Sequence, residues 1–184
     1  MTVRALLSLM VLGIIATETS WAGQSPATVE TSALVISSPA FANSGVIPDR
    51  YTCAGEDASP PLAWRGVPRA AKTLALVIDD PDAPSGTFTH WIVYNMARDS
   101  SGLPESSLGV ATPAVEYSQA VNDFGHPGYN GPCPPPGKPH HYHFKLYALA
   151  ARLELPRDAT AKQLAAAMRG RILAVGEMIA TFER

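Results

Sequence analysis

Apolar residues fall along this chain in short runs, and proline or glycine closes almost every one. Thr73–Asp79 (TLALVID) is nearly continuously apolar and rich in strand formers, which predicts a buried central strand. Trp91–Met96 (WIVYNM) predicts a second. Tyr142–Ala150 (YHFKLYALA) alternates and predicts a third. Leu34–Ser37 is a shorter candidate. Pro60–Trp64 predicts an edge segment, because proline brings no donor to a central ladder. Thr160–Met168 (TAKQLAAAM) is built of helix formers, with Asp158 or Thr160 as its cap and Gly170 as its stop. Ile172–Phe182 is apolar without a deciding period, so helix, strand or both remain open. Seventeen prolines and fourteen glycines separate these runs, the punctuation of a mainly β domain with ordered loops. The long middle, Asp99–Pro139, lacks a period and is rich in Gly, Pro, Ser and Asn. Long ordered loops in compact domains usually carry function.

The first residues stand apart. Met1–Arg4 is a short positive start, Ala5–Ala16 an apolar run too short to span a bilayer, and Ser20-Trp21-Ala22 a small-x-small cleavage pattern. Residues 1–22 therefore read as a secretory signal peptide, with a retained membrane anchor as the alternative. Residues 23–33 read as a polar lead-in and 34–184 as a single domain. The expected location is periplasmic or secreted, without stable membrane insertion after cleavage. A net charge of −2 with no basic stripe argues against a nucleic-acid partner. Cys53 and Cys133 are the chain's two cysteines. An even pair outside the cytosol reads as one disulfide, the alternative being two free thiols.

The chemistry gathers late. All five histidines lie between positions 90 and 143, and GPCPPPGKPHHYHF runs a proline-rich loop directly into a histidine-rich strand. Strand parity sorts them. His140 and Tyr142 share a row with Phe144, Leu146 and Ala148. His141, His143 and Lys145 fall on the wetter face. By the same count His90 joins Ile92, Tyr94 and Met96, and Asp80 extends Leu74, Leu76 and Ile78. Three strands thus end their inward rows in a polar group. If the ends lie side by side, they line one small cavity. Imidazoles and a phenol donate to an oxyanion, and a carboxylate beside them orients a ring. Gly131 permits close backbone approach to a ligand, and the prolines around it, Pro132 among them, stiffen the loop. The set suits phosphate or another small anion and calls for no cofactor.

Other readings compete. His141 and His143 could form two zinc ligands with Asp82 nearby, giving a metal-assisted hydrolase, but no clean third ligand accompanies them and no native metal is expected. One of Asp80 and Asp82 could simply close a turn across Pro81. No G-x-S-x-G nucleophile elbow is present, and Ser59 and Ser85 lie in loops without an activating setting.

Asp80-Pro81-Asp82-Ala83-Pro84 followed by His90-Trp91 resembles the first signature of the phosphatidylethanolamine-binding protein family. Gly131-Pro132-Cys133-Pro134-Pro135, then His140-His141-Tyr142 and Leu146–Leu149, resembles the second. Ser59-Pro60-Pro61-Leu62-x-Trp64 and Ala180–Arg184 resemble its bacterial, Raf-kinase-inhibitor-like branch. The resemblance covers about Leu34 to Arg184. It implies two antiparallel sheets in Greek-key arrangement with peripheral helices, and a pocket for phosphoryl groups, including phospholipid headgroups. Carried over residue by residue, that pocket would use Asp80, His90, Gly131, Pro132, His140 and Tyr142. His141 stands where arginine is common and Asn130 where glycine is frequent. The implied role is binding rather than catalysis. A protein-interaction module that inhibits a protease or kinase is the runner-up, and oligomeric state is left open.

Overall fold

The computed structural model describes residues 33–106 and 117–184. The leader and nearly all of the lead-in lie outside those residues. In chain order the elements are β1 (Val35–Ser37), a 3-10 turn (Asp49–Tyr51), β2 (Leu62–Arg65), β3 (Thr73–Asp80), β4 (Phe88–Ala97), β5 (Gly102–Leu103), β6 (Ser118–Gln119), β7 (His140–Leu149), α1 (Ala161–Met168) and β8 (Ile172–Phe182). They form two antiparallel sheets, one ordered β1-β2-β5 and the other β6-β4-β3-β7-β8. The mainly β, two-sheet expectation holds.

The large sheet is covered on both faces, which explains why β3 reads as one apolar run. On one face Leu74, Leu76 and Ile78 sit beside Ala148, Leu146 and Phe144 of β7. This face packs against Ile36, Leu62 and Trp64 of the small sheet. On the other face Ala75, Ile92, Tyr94 and Leu149 meet Leu153 and, from α1, Leu164 and Met168. Burying a leucine or isoleucine side chain fully contributes about 1.5–3 kcal/mol, so β3 anchors both layers.

The helix starts where Thr160 accepts from the Gln163 backbone and the Gln163 side chain reaches back, a reciprocal capping box. It ends before Gly170, whose φ of +71° favours glycine. The open choice for Ile172–Phe182 resolves to strand. Gly176, Met178, Ala180 and Phe182 alternate inward against β7.

One expectation fails. Pro60–Trp64 does not lead an edge strand: Leu62–Arg65 is the middle strand of the small sheet, paired with β1 and β5. The prolines stop one residue short of the ladder, so they remove no donor from it. Strand β4 also departs from a regular ladder. Its pairing with β3 skips Asn95 and His90, placing one extra residue on β4 at each point. Asn95 takes φ +60°, and its amide both donates to and accepts from the Leu153 backbone at 2.8 Å.

Cys53 and Cys133 form a disulfide with Cα atoms 5.4 Å apart, bridging 80 residues of chain. Chain-entropy treatment of a loop that long gives about 4 kcal/mol. A paired Cys53→Ser, Cys133→Ser variant should therefore lose about 2–4 kcal/mol of unfolding free energy in urea denaturation. A loss below 0.5 kcal/mol, on the order of measurement scatter, would show that the bridge adds nothing to the contacts around it.

Candidate functional site

Strands β4, β3 and β7 lie side by side, so their ends converge as the pattern required. A cavity of about 320 Å³ opens there, and Asp80, His90, His140 and Tyr142 all line it. Gly131 and Pro132 do not line it. A Cβ on Gly131 would stand 2.3 Å from the Tyr51 carbonyl and 2.9 Å from Thr52 Cα. Packing on the segment near the 3-10 turn therefore requires glycine at 131. Its N–H donates to Asp57 at 2.6 Å, and the Pro132 carbonyl accepts from Cys53 N at 3.1 Å. Both residues support the wall from behind. The wall itself is Cys133, Pro134 and Pro135.

Asp80 is only 3% exposed. A buried carboxylate needs partners, and it has two. Oδ2 lies 2.7 Å from His140 Nδ1, and Oδ1 accepts from Asp82 N at 2.8 Å. Asp80 thus closes the turn across Pro81 and orients a ring in the site. The Tyr142 hydroxyl is buried beside the Asp80 carboxylate, and among the described residues it has no hydrogen bond of good geometry. Burial first, then the nearby Asp80 and Asp82 carboxylates, hold its proton on far above the ordinary phenol range. It is a committed donor facing the cavity.

His90 reaches the site by a route that parity does not give. The row Ile92 and Tyr94 belongs to the helix-covered face. The extra residue in the ladder between Thr89 and Trp91 turns His90 to the opposite face, where its ring meets Tyr142 edge-on at 5.3 Å. Its Nδ1 lies 2.8 Å from the Asn130 carbonyl. Burial lowers its pKa below the usual 6.5, outweighing the Asn130 carbonyl and the Asp80 charge, which act upward.

The aromatic side of the cavity was not foreseen. Phe88 and Phe124 pack edge-on at 4.9 Å, and both stand about as close to His90. Asn122, buried in the loop that carries Phe124, reaches the His90 and Gly128 carbonyls and the Asn130 side chain through Nδ2, and accepts from Phe124 N. Phe88 could have been found as the register partner of Asp80. Phe124 and Asn122 lie in a loop with no periodic signal.

The outward histidines behave differently. His141 holds Asp82 through backbone and ring, and those bonds lower the Asp82 pKa. His143 takes Glu177 at 2.8 Å. Each has its own carboxylate, and among the described residues no group of three or more His, Cys, Asp or Glu is placed to hold a metal.

Comparison with known proteins follows the same lines. The family model described as phosphatidylethanolamine-binding protein matches residues 37–183. A UPF0098 protein of Pyrococcus abyssi is 46% identical over 151 residues, covering 80% of this chain and 84% of the relative. LppC of Mycobacterium tuberculosis, which carries a lipoprotein name, is 42% identical over 151 residues, covering 82% and 72%. Among solved structures, CT736 of Chlamydia trachomatis, described as a homolog of the same family, superposes with a TM-score of 0.76 at 39% identity, covering 83% of this chain and 98% of that one. E. coli YbcL superposes at 0.77 with 29% identity, covering 83% and 99%.

The depressed His90 pKa has a stability consequence. On acidification the unfolded chain takes its proton near 6.5, before the folded chain does. Stability is full above that value and is lost as pH falls toward the folded pKa. Asp82 acts in the same direction, but only below its ordinary 3.8. Urea unfolding from pH 7.5 to about 5 should therefore show a decline of up to about 1.4 kcal/mol per unit of lowering, and His90→Asn should flatten it. An unchanged slope in the variant would assign the loss to another group.

Proposed function

The chain belongs to the phosphatidylethanolamine-binding protein family, and on that premise we propose that it is an exported binding protein for a small phosphoryl group. The observation that carries this reading is the buried Tyr142 hydroxyl, without a well-formed hydrogen bond among the described residues, beside the Asp80–His140 pair, in a cavity whose walls include Phe88, Phe124, Pro84, Pro134 and Pro135. An unpaired buried donor costs about 1–3 kcal/mol, and an oxyanion would satisfy it. The Asp80 carboxylate, 2.7 Å from His140 Nδ1, orients that ring in the cavity. The apolar walls admit the organic part of a ligand while strengthening the few polar contacts.

Export is supported by the leader pattern, by the disulfide and by the lipoprotein name of one relative. Binding without catalysis fits the roles of the groups. Asp80 is committed to holding His140, and Cys133, in the cavity wall, is oxidised in the disulfide.

Calorimetric titration with inorganic phosphate, followed in parallel by NMR at the histidine rings, tests the site. Saturable binding that perturbs His90 and His140 is expected. Tyr142→Phe should leave ligand-free stability unchanged or raise it by up to about 1 kcal/mol, while phosphate affinity falls about tenfold or more. Binding that perturbs neither ring, or is indifferent to Tyr142→Phe, would remove this cavity as the site.

A further inference from the structure

The ring of His90 is held so that its proton has one place to sit. Nδ1 lies 2.8 Å from the Asn130 carbonyl oxygen, which can only accept, so Nδ1 carries the hydrogen. In the neutral ring Nε2 then bears a lone pair. Asn130 also donates back to the His90 carbonyl at 3.4 Å, and Asn122 reaches the same carbonyl. The backbone on both sides of the ring is thereby fixed.

The titratable groups around His90 are spoken for. Asp80, from β3, pairs with His140 and with Asp82 N. Asp57, beyond the 3-10 turn, accepts from Gly131 N. From β7, Tyr142 meets the His90 ring edge-on and His140 is turned to Asp80. Phe88 and Phe124 supply only ring edges. The Asp80 and Asp57 charges act upward on the His90 ring without bonding to it, and burial of a ring that is 4% exposed outweighs them. Burial of that kind favours the neutral form.

We propose that His90 serves the site as a hydrogen-bond acceptor, selecting an oxyanion that carries its own hydrogen: a phosphomonoester or inorganic phosphate as the monoanion, in preference to a phosphodiester. This rests on the phosphoryl-binding reading above and narrows its ligand class. A monoester monoanion donates its P–OH to Nε2 and accepts from the Tyr142 hydroxyl through another oxygen. A diester has only lone pairs to offer. It sets oxygen against nitrogen lone pair unless His90 first takes a proton from solvent. The bonds to phosphorus are untouched in either case, and one proton is shared or gained. An intact phospholipid headgroup is a diester, and a cleaved headgroup or a phosphorylated metabolite is a monoester.

Methyl phosphate and dimethyl phosphate are small probes that differ in this hydrogen. Their affinities are measured by calorimetry on the full protein from pH 5 to 8. Dimethyl phosphate does not titrate in that range. Its affinity should fall about tenfold per pH unit above the His90 pKa, the mark of one proton taken up on binding. Methyl phosphate should bind at least tenfold more tightly at pH 7, with the gap closing at pH 5. In His90→Gln, whose amide offers a fixed donor, the slope for dimethyl phosphate should vanish. Dimethyl phosphate binding with no pH dependence overturns the proposal, and so does a slope that survives in His90→Gln, which would belong to another group. If neither compound binds at any pH, the phosphoryl-binding reading itself fails. Ring nitrogen shifts of the unaltered protein at pH 7 give an independent check. A hydrogen on Nδ1 alone is expected, and one on Nε2 overturns the inference.

Discussion

Between Thr89 and Trp91 the ladder of the large sheet takes one residue more on β4 than on β3, and the pocket depends on that extra residue. A regular strand would place His90 with Ile92 and Tyr94, under the helix. There an imidazole would meet only apolar side chains and cost stability without gain. The bulge turns the ring to the other face, beside Tyr142. It also frees the His90 backbone from β3, and the loop residues Asn122 and Asn130 take up its carbonyl instead. The same irregularity therefore aims a side chain and moors the loop that walls the cavity, as bulges beside binding sites often do.

A second constraint is electrostatic. Burying Asp80 is tolerable only because His140 and a turn amide meet its two oxygens. That pairing leaves the two inward histidines in unlike settings. His140 faces a carboxylate and His90 faces a carbonyl. Tyr142, beside both, keeps its hydrogen under all ordinary conditions.

Much of this was legible in the chain, and the exceptions have physical causes. Parity placed Asp80, His140 and Tyr142 correctly because β3 and β7 pair without a break from Thr73 to Asp79. It reached His90 only by accident. The count along β4 named the wrong row, and a bulge that depends on a loop some thirty residues away reversed the error. Gly131 was read as a site residue, and its glycine is indeed demanded, but by the Tyr51 carbonyl. A requirement for close approach does not say what approaches. The edge reading of Pro60–Trp64 failed for a similar reason. Proline forbids a central position only where its own nitrogen must donate, and here the ladder begins one residue later. Phe124 and Asn122 had no periodic neighbours to reveal them.

The two walls of the cavity are loops, yet each is held as firmly as a strand. One is pinned by the Cys53–Cys133 bridge, by Gly131 N on Asp57, and by the Tyr129 hydroxyl on the Tyr51 carbonyl. The other is tied by Asn122 and by Thr89 N on the Asp123 carboxylate. Loops fixed in advance have little freedom left to lose when a ligand arrives, which spares binding an ordering cost. The cavity between them has a volume of about 320 Å³, and Phe88 and Phe124 are among its lining residues. On the proposed reading, recognition falls on the few atoms that touch the floor, where one ring offers a lone pair and one hydroxyl offers a hydrogen. Discrimination in such a site comes from the protons the ligand carries rather than from its length.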